Sequence, residues 1–540
     1  MTKDSKQYRA DVIIIGGGLA GIVTAFELLE HNKKVIILER DVAENFGGLA
    51  KESFGGVMMV GTPLQRKSGI QDSPELAFSD WLSYAQFGEE DVWPRKWAET
   101  YVHTSLEMIY NWLVQRSVTF LPLVNWPERG MFRPGNSVPR WHIAWGTGSG
   151  LIASILRDLE QHPKRKNLQL YFGHQVNQLL STNGRVHGCA GNLERSGEAF
   201  TASAEVVVAA SGGMCGGDLS KVRQHWFKEW GQPPKVILNG SHPYADGMIH
   251  ESVDAMGGKV THLDKQWHYA AGIPYPNSNR RMHGLSLVPP RSALWMNAFG
   301  KRIGPPPLVG YTDTRYIVEQ ICKQPGQYSW QILNWKIAIK ELAVSGSDYM
   351  TAFREKKKLR MILDILFGNK KLVRRLLQES KDFVTAQSVS ELAHKMNELD
   401  NEAKVDADLL AAEIKAYDDQ IDRGPRFFND EQLRRLTNFR AYKGDRLRLC
   451  KYQKINDPKA MPLIAIREFI LSRKSLGGVQ TDLLCRVLNK KGEPIPGLYA
   501  VGETAGFGGG GIHGLRSLEG TFLGSCVLTG RMAAKAISGG

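Results

Sequence analysis

Apolar residues recur along this chain with two different periods. Residues 11–15 (Asp-Val-Ile-Ile-Ile) and 34–38 (Lys-Val-Ile-Ile-Leu) are short apolar runs, and between them the apolar positions of 19–31 repeat at helical spacing. Runs of this kind on either side of a helix read as parallel strands buried on both faces, joined in a βαβ unit. Helical patterning returns over 75–118, a stretch rich in tryptophan, and over 151–160 and 247–257. Residues 168–180 and 184–190 read as strands, and Glu-Val-Val-Val-Ala-Ala at 205–210 is another buried-strand run. From about 312 to 440 the pattern is helical and highly charged. Strands return between 479 and 502, and a last helix is predicted over 517–537. The two ends share an α/β character that the middle lacks. The expected architecture is therefore one α/β domain, a parallel sheet with helices, interrupted by a mostly helical α+β insert.

Glycine marks where chemistry enters this pattern. Gly16-Gly17-Gly18-Leu19-Ala20-Gly21 closes the first apolar run and opens the helix, and Glu39 ends the next run. This is a dinucleotide fingerprint in the context it requires. Gly16 allows the tight turn, Gly18 lets a pyrophosphate approach the backbone, and Gly21 lets the helix pack close to the strand. Leu19 and Ala20 place free amides at the helix N-terminus. Glu39, followed by Arg40, can accept the ribose hydroxyls of an adenosine and disfavours a 2′-phosphate. A second cluster, Gly146-Thr147-Gly148-Ser149-Gly150, has the wrong spacing and reads as a helix start. The segment after Glu39 points to a flavin rather than a nicotinamide. Gly47-Gly48-Leu49-Ala50-Lys51-Glu52-Ser53-Phe54-Gly55-Gly56 can lay its backbone along a ribityl chain and an isoalloxazine ring. The C-terminal region adds Gly502-Glu503-Thr504-Ala505-Gly506, then Gly508 to Gly511, then His513-Gly514-Leu515-Arg516-Ser517-Leu518-Glu519-Gly520.

Taken in order, these segments resemble the FAD-binding domain shared by the flavoproteins of fumarate reductase and succinate dehydrogenase and by the 3-ketosteroid dehydrogenases. The resemblance covers about the first 60 residues, 140–260 and 470–540. It implies a Rossmann-like FAD-binding domain made of 1–265 and 471–540, with 266–470 as a cap or substrate domain over the flavin. It further implies that Gly16, Gly18 and Gly21 hold the pyrophosphate and Glu39 the ribose. Gly47, Gly48, Leu49, Ser53, Gly55 and Gly56 would line the flavin, and Val176 would face the adenine. Ala210, Ser211, Gly212 and Gly213 would pass beside the nucleotide, and Gly502-Glu503 would reach the ribityl hydroxyls. Ser517 and Leu518, opening the last helix, would aim N–H groups at the flavin edge where negative charge develops on reduction. Succinate dehydrogenases attach FAD to a histidine shortly after the fingerprint. This chain has no histidine between His31 and His103, so non-covalent FAD is expected. The arginine that binds substrate carboxylate in fumarate reductases is replaced by Ser517, with Arg516 one residue earlier, and Lys474 stands where those enzymes carry a histidine.

Flavin enzymes of this kind move hydride between N5 and carbon, while a protein group handles the proton on the adjacent carbon and donors polarise a carbonyl. The candidates are His268, Tyr269, Arg516, His513 and Lys474, with Arg140 weaker; each also fits a purely structural role. Trp126, Trp141, Trp145, Trp267, Tyr269 and Trp295 would either line an apolar pocket or build a domain-interface core. The expected function is an FAD-dependent oxidoreductase acting on a carbon–carbon bond next to a carbonyl. Its substrate would be a hydrophobic ketone or enone such as a 3-ketosteroid, with an electron acceptor as a further partner. A fumarate/succinate-type dicarboxylate reductase is the alternative, and an FAD-containing binding or membrane-associated protein without turnover is the third reading.

The six cysteines form no CxxC pair, and no metal site is expected. No apolar run is long enough to span a membrane, and a cytoplasmic location is expected. Net charge is +14, and half of it lies between Arg354 and Arg375, where nine basic residues face two acids. No nucleic-acid motif accompanies it, and no nucleic-acid partner is expected. Over 354–377, Leu359, Ile362, Leu363, Leu366 and Phe367 recur at helical spacing, and Leu372, Val373, Leu376 and Leu377 continue the set after Gly368-Asn369. This basic amphipathic hairpin either packs its apolar stripe into the cap or rests peripherally on an anionic membrane. The missing histidine gives a direct test: acid precipitation of the purified protein should leave the yellow flavin in the supernatant, and flavin carried down with the polypeptide would contradict non-covalent binding.

Overall fold

Burial on both faces makes the first apolar run the centre of a sheet. In the computed structural model, which describes residues 6–346, 348–400 and 403–539, Val12–Ile15 lies between Val206–Ala209 and Val35–Leu38, parallel to both. Leu168–Tyr171 and Pro494–Ala500 extend the sheet in parallel on either side, and Arg486–Leu488 closes one edge antiparallel. Alternation sends the side chains of each strand to two cores: Ile13, Ile15, Ile36 and Leu38 to one, Val12, Ile14, Val35 and Ile37 to the other. The second core holds helix Leu19–Glu30, which packs along the C-terminal helix Thr521–Ile537. Helix Thr147–Glu160 opens at the second glycine cluster. A four-stranded sheet, Lys6–Arg9, Ala199–Ser203, Arg185–Leu193 and His174–Thr182, completes this domain.

The cap is built on one long strand, Leu463–Ser475. It pairs antiparallel with Gln266–Pro274, Ser329–Asn334 and Phe383–Ala386, and parallel with Ile237–Asn239. Helices Thr314–Cys322, Val389–Leu399, Ala407–Asp422 and Glu431–Ala441 cover the sheet. The chain contributes to this core before residue 266: Cys215, Leu219, Val222, Trp226, Trp230 and Ile237 are buried in it. The cap strand likewise runs on to Ser475, past the expected boundary at 470. A strand crossing between two domains has continuous apolar patterning on both sides, so no break in the sequence marks the junction. The basic hairpin is two helices, Lys358–Phe367 and Lys370–Glu379. The second packs Leu372, Val373 and Leu376 into the cap core, whereas no residue of the first is buried. Among the described residues no helix is long and apolar enough to cross a membrane, and no group of side chains could hold a metal ion.

Arg140 is fully buried far from solvent competition. Its guanidinium grips Asp72 at 2.8–3.0 Å and Asp80 at 2.5 Å, and it also donates to Asn136 at 3.1 Å. These bonds tie the helix Pro74–Ala85 to the strand Trp141–Ile143 beside the cavity described below. The residue is therefore a structural tie rather than a catalytic candidate. Arg140→Ala leaves two buried carboxylates without their cation, a loss of about 3–5 kcal/mol. Thermal unfolding should show a large drop in midpoint. A variant of unchanged midpoint and lost activity would return Arg140 to the chemistry.

Candidate active site

The fingerprint turn sets the floor of a cavity of about 320 Å³. Gly16 has φ +107°, and a Cβ there would lie 2.4 Å from the Ala210 carbonyl oxygen; at Gly21 it would lie 2.1 Å from that of Gly16. At Gly18 a Cβ would meet nothing within 4 Å, so this backbone borders open space. Gly18 also caps the helix Leu19–Glu30, and no side chain accepts from its first-turn amides. Free N–H groups facing a cavity floor fit an anionic pyrophosphate. Glu39 is held by its own backbone surroundings. Its two carboxylate oxygens accept the N–H groups of Gly17 at 2.6 Å and Asp41 at 2.8 Å. Arg40 borders the cavity but is committed to Glu194 at 2.9 Å and Asp246 at 2.7 Å.

Of the sequence-selected cofactor residues, Gly16, Gly18, Leu19, Ala20, Glu39, Arg40, Gly47, Gly48, Leu49, Ser53, Gly55, Gly56, Val176, Ala210, Ser211, Gly212 and Glu503 line this cavity. Gly21, Gly213, Gly502, Ser517 and Leu518 do not. Gly21 and Gly502 permit close packing around Ala20 and the turn, and Gly213 makes room for the Glu503 carboxylate, whose Oε1 would be 2.3 Å from its Cβ. The last helix begins at Thr521, four residues later than the predicted start. Gly520 at φ +99° turns against Trp141, 2.4 Å from where a Cβ would sit, and only after that turn can the helix run. Leu518 is core, and the Ser517 hydroxyl is 2.9 Å from that of Thr521. From this loop Glu519 and Gly520 reach the cavity, joined by Phe522 and Leu523 of the helix's first turn.

Two of the five catalytic candidates meet. The Tyr269 hydroxyl donates to the Glu519 carboxylate at 3.1–3.2 Å and lies 3.4 Å from the Lys474 ammonium, which sits 3.7 Å over the Phe522 ring. Burial lowers Lys474 to about 8, opposed by Glu519. Burial, then Glu519, pushes the Tyr269 phenol well above its ordinary value. Burial also raises Glu503 to about 7, opposed by the Ser475 amide that it accepts and by Lys474. The other three candidates lie elsewhere. His268 follows Trp267 and precedes Tyr269 on one strand, so alternation turns it to the opposite face. There it stacks on Trp226, centroids 5.1 Å apart, with neither ring nitrogen hydrogen-bonded among the described residues. Burial, then Arg315, depresses it to about 3. His513 is bonded to Thr521 at 2.8 Å and enclosed by Trp81, Phe507 and Phe522, and burial drives it well below its ordinary value. Arg516 is committed to Gln86 and, at 3.5 Å, to Asp313.

Sequence reasoning missed Glu519, Tyr311 and Arg473. Glu519 stands inside the C-terminal glycine motif and its charge was the available signal. Tyr311, 5.7 Å from the Tyr269 ring, comes from a loop that no periodicity marks. Arg473 and Lys474 are consecutive, and both line the cavity. A regular strand would point them apart. The pairing runs Trp267 to Lys474 and then His268 to Ser472, so Arg473 is the extra residue of a bulge that turns both cations inward. Of the six expected aromatic residues, Trp126, Trp141 and Tyr269 line the cavity; Trp267 and Trp295 are core, and Trp145 packs on Phe353.

The profile of the family described as FAD binding domain matches residues 11–523. A KsdD-like steroid dehydrogenase of Mycobacterium tuberculosis (strain ATCC 25618 / H37Rv) is 40% identical, over 98% of this chain and 96% of its own. Among solved structures, the 3-ketosteroid delta1-dehydrogenase from Sterolibacterium denitrificans has a TM-score of 0.72 at 15% identity, covering 98% of this chain and 99% of that one. The 3-ketosteroid-delta4-(5alpha)-dehydrogenase from Rhodococcus jostii RHA1 gives 0.66 at 20% identity, covering 99% and 98%. With a nucleotide turn that fits a pyrophosphate, a family match across nearly the whole sequence and a relative this similar over its full length, the chain belongs to the FAD-binding-domain family and is an FAD-dependent dehydrogenase.

Proposed function

We propose that the enzyme dehydrogenates, or in the reverse direction reduces, a carbon–carbon bond beside the ketone of a lipophilic, ring-bearing substrate of the 3-ketosteroid type. The observation that carries this reading is the pairing of Tyr269 and Lys474 in a cavity walled by Trp126, Trp141, Val288, Pro289, Tyr311 and Phe522. Ring faces and aliphatic walls suit an apolar body. A small dicarboxylate would need two cationic partners with free valences. Arg516, Arg40 and Arg291 are already ion-paired, and Arg473 donates to the Gly240 and Glu52 carbonyls. The relatives named as steroid and 3-ketosteroid dehydrogenases support the same substrate class.

FAD, when bound, supplies the hydride acceptor or donor. The chain's own residues manage the proton. Burial and Glu519 keep the Tyr269 phenol protonated, so in reduction it gives its proton to the carbon beside the one that takes hydride. In dehydrogenation it passes that proton along its hydrogen bond to Glu519, and the phenolate takes the proton from carbon. The Lys474 ammonium, within 3.4 Å, stabilises the phenolate left behind. Tyr311, its ring 5.7 Å from that of Tyr269, narrows the space around the phenol. In anaerobic mixing, 3-ketosteroids should bleach the flavin and succinate should not; bleaching by succinate alone would favour the dicarboxylate alternative. Tyr269→Phe should slow bleaching by about 10²–10⁴-fold, the usual worth of a positioned acid or base. Because Lys474 loses its proton as pH rises through about 8, the wild-type rate should fall across that range, and Lys474→Met should remove the step. A Lys474→Met profile identical to wild type would remove the lysine from the mechanism.

We also propose that the enzyme rests peripherally on an anionic membrane through helix Lys358–Phe367. Leu359 is 80% exposed, Phe367 69% and Leu366 62%, flanked by Lys356, Lys357, Lys358 and Arg360. Apolar residues of this size left in water beside basic neighbours match the headgroup boundary, where each basic side chain contributes about 1 kcal/mol. Co-sedimentation with anionic vesicles should be lost in high salt and on changing Lys356, Lys357 and Lys358 together to glutamate. Equal recovery in the supernatant from anionic and neutral vesicles would end this idea.

A further inference from the structure

The flavin-lining segment Ser53-Phe54-Gly55-Gly56 contains one bulky side chain. Phe54 borders the flavin cavity on one side and a second cavity, of about 220 Å³, on the other. Asn125, Gly444 and Arg448 are shared between the two in the same way. The second cavity has apolar walls from both domains, with Leu121 and Ile143 on one side and Leu342 and Leu372 on the other. Its roof is helix Lys358–Phe367, which turns Met361 and Ile365 inward while Leu359 and Phe367 face out.

Two features make this space a passage rather than a packing defect. Phe54 stands between the cavities as a partition, its ring 5.7 Å from Trp141 and 5.4 Å from Phe353. The roof is lightly held. None of its residues is buried, and it is bounded by Lys356 at φ +58° and Gly368 at φ +83°. Its fastenings include the Lys340 ammonium on the Ile365 carbonyl at 2.9 Å. The helix lays Met361 and Ile365 over a mostly apolar chamber, with the Arg360–Asp364 ion pair also at its lining and Leu359 and Phe367 in solvent, so it can lift without breaking a packed core.

We propose that the second cavity is an antechamber through which a neutral lipophilic substrate reaches the flavin cavity, with Phe54 as the inner door and helix Lys358–Phe367 as the outer lid. The path keeps apolar surface out of water from the lid to the site of reaction. This inference rests on the substrate class proposed above. It takes no part in the proton chemistry, and Phe54 is a positioning residue.

The test uses FAD-loaded enzyme and two probes, the neutral dye Nile red and 4-androstene-3,17-dione, mixed rapidly with wild type, Met361→Trp and Ala352→Trp. Both substitutions fill the antechamber. Met361 is half-buried on the lid, so its variant remains informative where Ala352→Trp fails to fold. Full FAD content and an unchanged visible spectrum identify a folded variant. Association of the dye, read by its fluorescence, and of the steroid, read by perturbation of the flavin absorbance, should each slow at least ten-fold in a folded variant. Unchanged association of the dye in a folded Met361→Trp enzyme would overturn the antechamber. A steroid that perturbs no flavin spectrum, with dye association slowed as expected, would leave the antechamber standing and overturn the substrate reading instead.

Discussion

The register between Gln266–Pro274 and Leu463–Ser475 is the constraint on which the site depends. These two strands form the spine of the cap, and the extra residue at Arg473 breaks their alternation just where they approach the FAD-binding domain. Without it, one of Arg473 and Lys474 would face the flavin cavity and the other the cap core, where a lone cation is untenable. With it, both face the cavity, and Lys474 arrives at the phenol of Tyr269. The two strands thus position phenol and cation from a single ladder of backbone hydrogen bonds, a stiffer mounting than a loop gives.

Tyr269, Lys474 and Glu503 are each shifted toward the neutral form. Lys474 falls to about 8 and Glu503 rises to about 7, each because burial penalises charge more than its neighbours reward it. The Arg140 cluster shows the opposite balance. There one guanidinium meets two carboxylates with nearly every donor used, and the charges hold a wall in place. One part of the FAD-binding domain uses buried charge to fix geometry. The cavity beside it keeps buried charge incompletely matched, which leaves protons free to move.

What could be read from the sequence follows from what the backbone alone dictates. The turn at Gly16 to Gly21, the strand pair around it and the glycine-lined path from Gly47 to Gly56 rest on sterics that only glycine satisfies, and these are visible as letters. Tyr269 and Lys474 were among the candidates, yet so were His268, His513 and Arg516, because residue type signals chemistry while facing direction depends on register. His268 illustrates it: one position from Tyr269, it points into the cap and stacks on Trp226. The tryptophan-rich stretch over 75–118 was legible as helix but not as what it does. Trp81 donates to the Ile512 carbonyl at 3.0 Å, and Trp97 packs flat against the Gly508 and Gly509 backbone, so these helices buttress the C-terminal glycine loop. Contacts of that range leave no periodic trace. In the hairpin, the second helix packs into the cap core while no residue of the first is buried, a difference that the shared apolar spacing did not show.

The central sheet carries a consequence for how the chain is made. Val207 pairs with Leu498, and helix Leu19–Glu30 lies against helix Thr521–Ile537. A ribosome adding about 5–20 residues per second delivers the second of these helices roughly half a minute to two minutes after the first. Throughout that interval the side of Leu19–Glu30 that meets Thr521–Ile537 lacks its cover, whereas the cap has all but the last residues of its spine strand once residue 470 has emerged. Until that late stretch is made, the cavity lacks the lining that Glu503, Glu519, Phe522 and Leu523 supply, so flavin capture waits on residues far from the fingerprint in sequence.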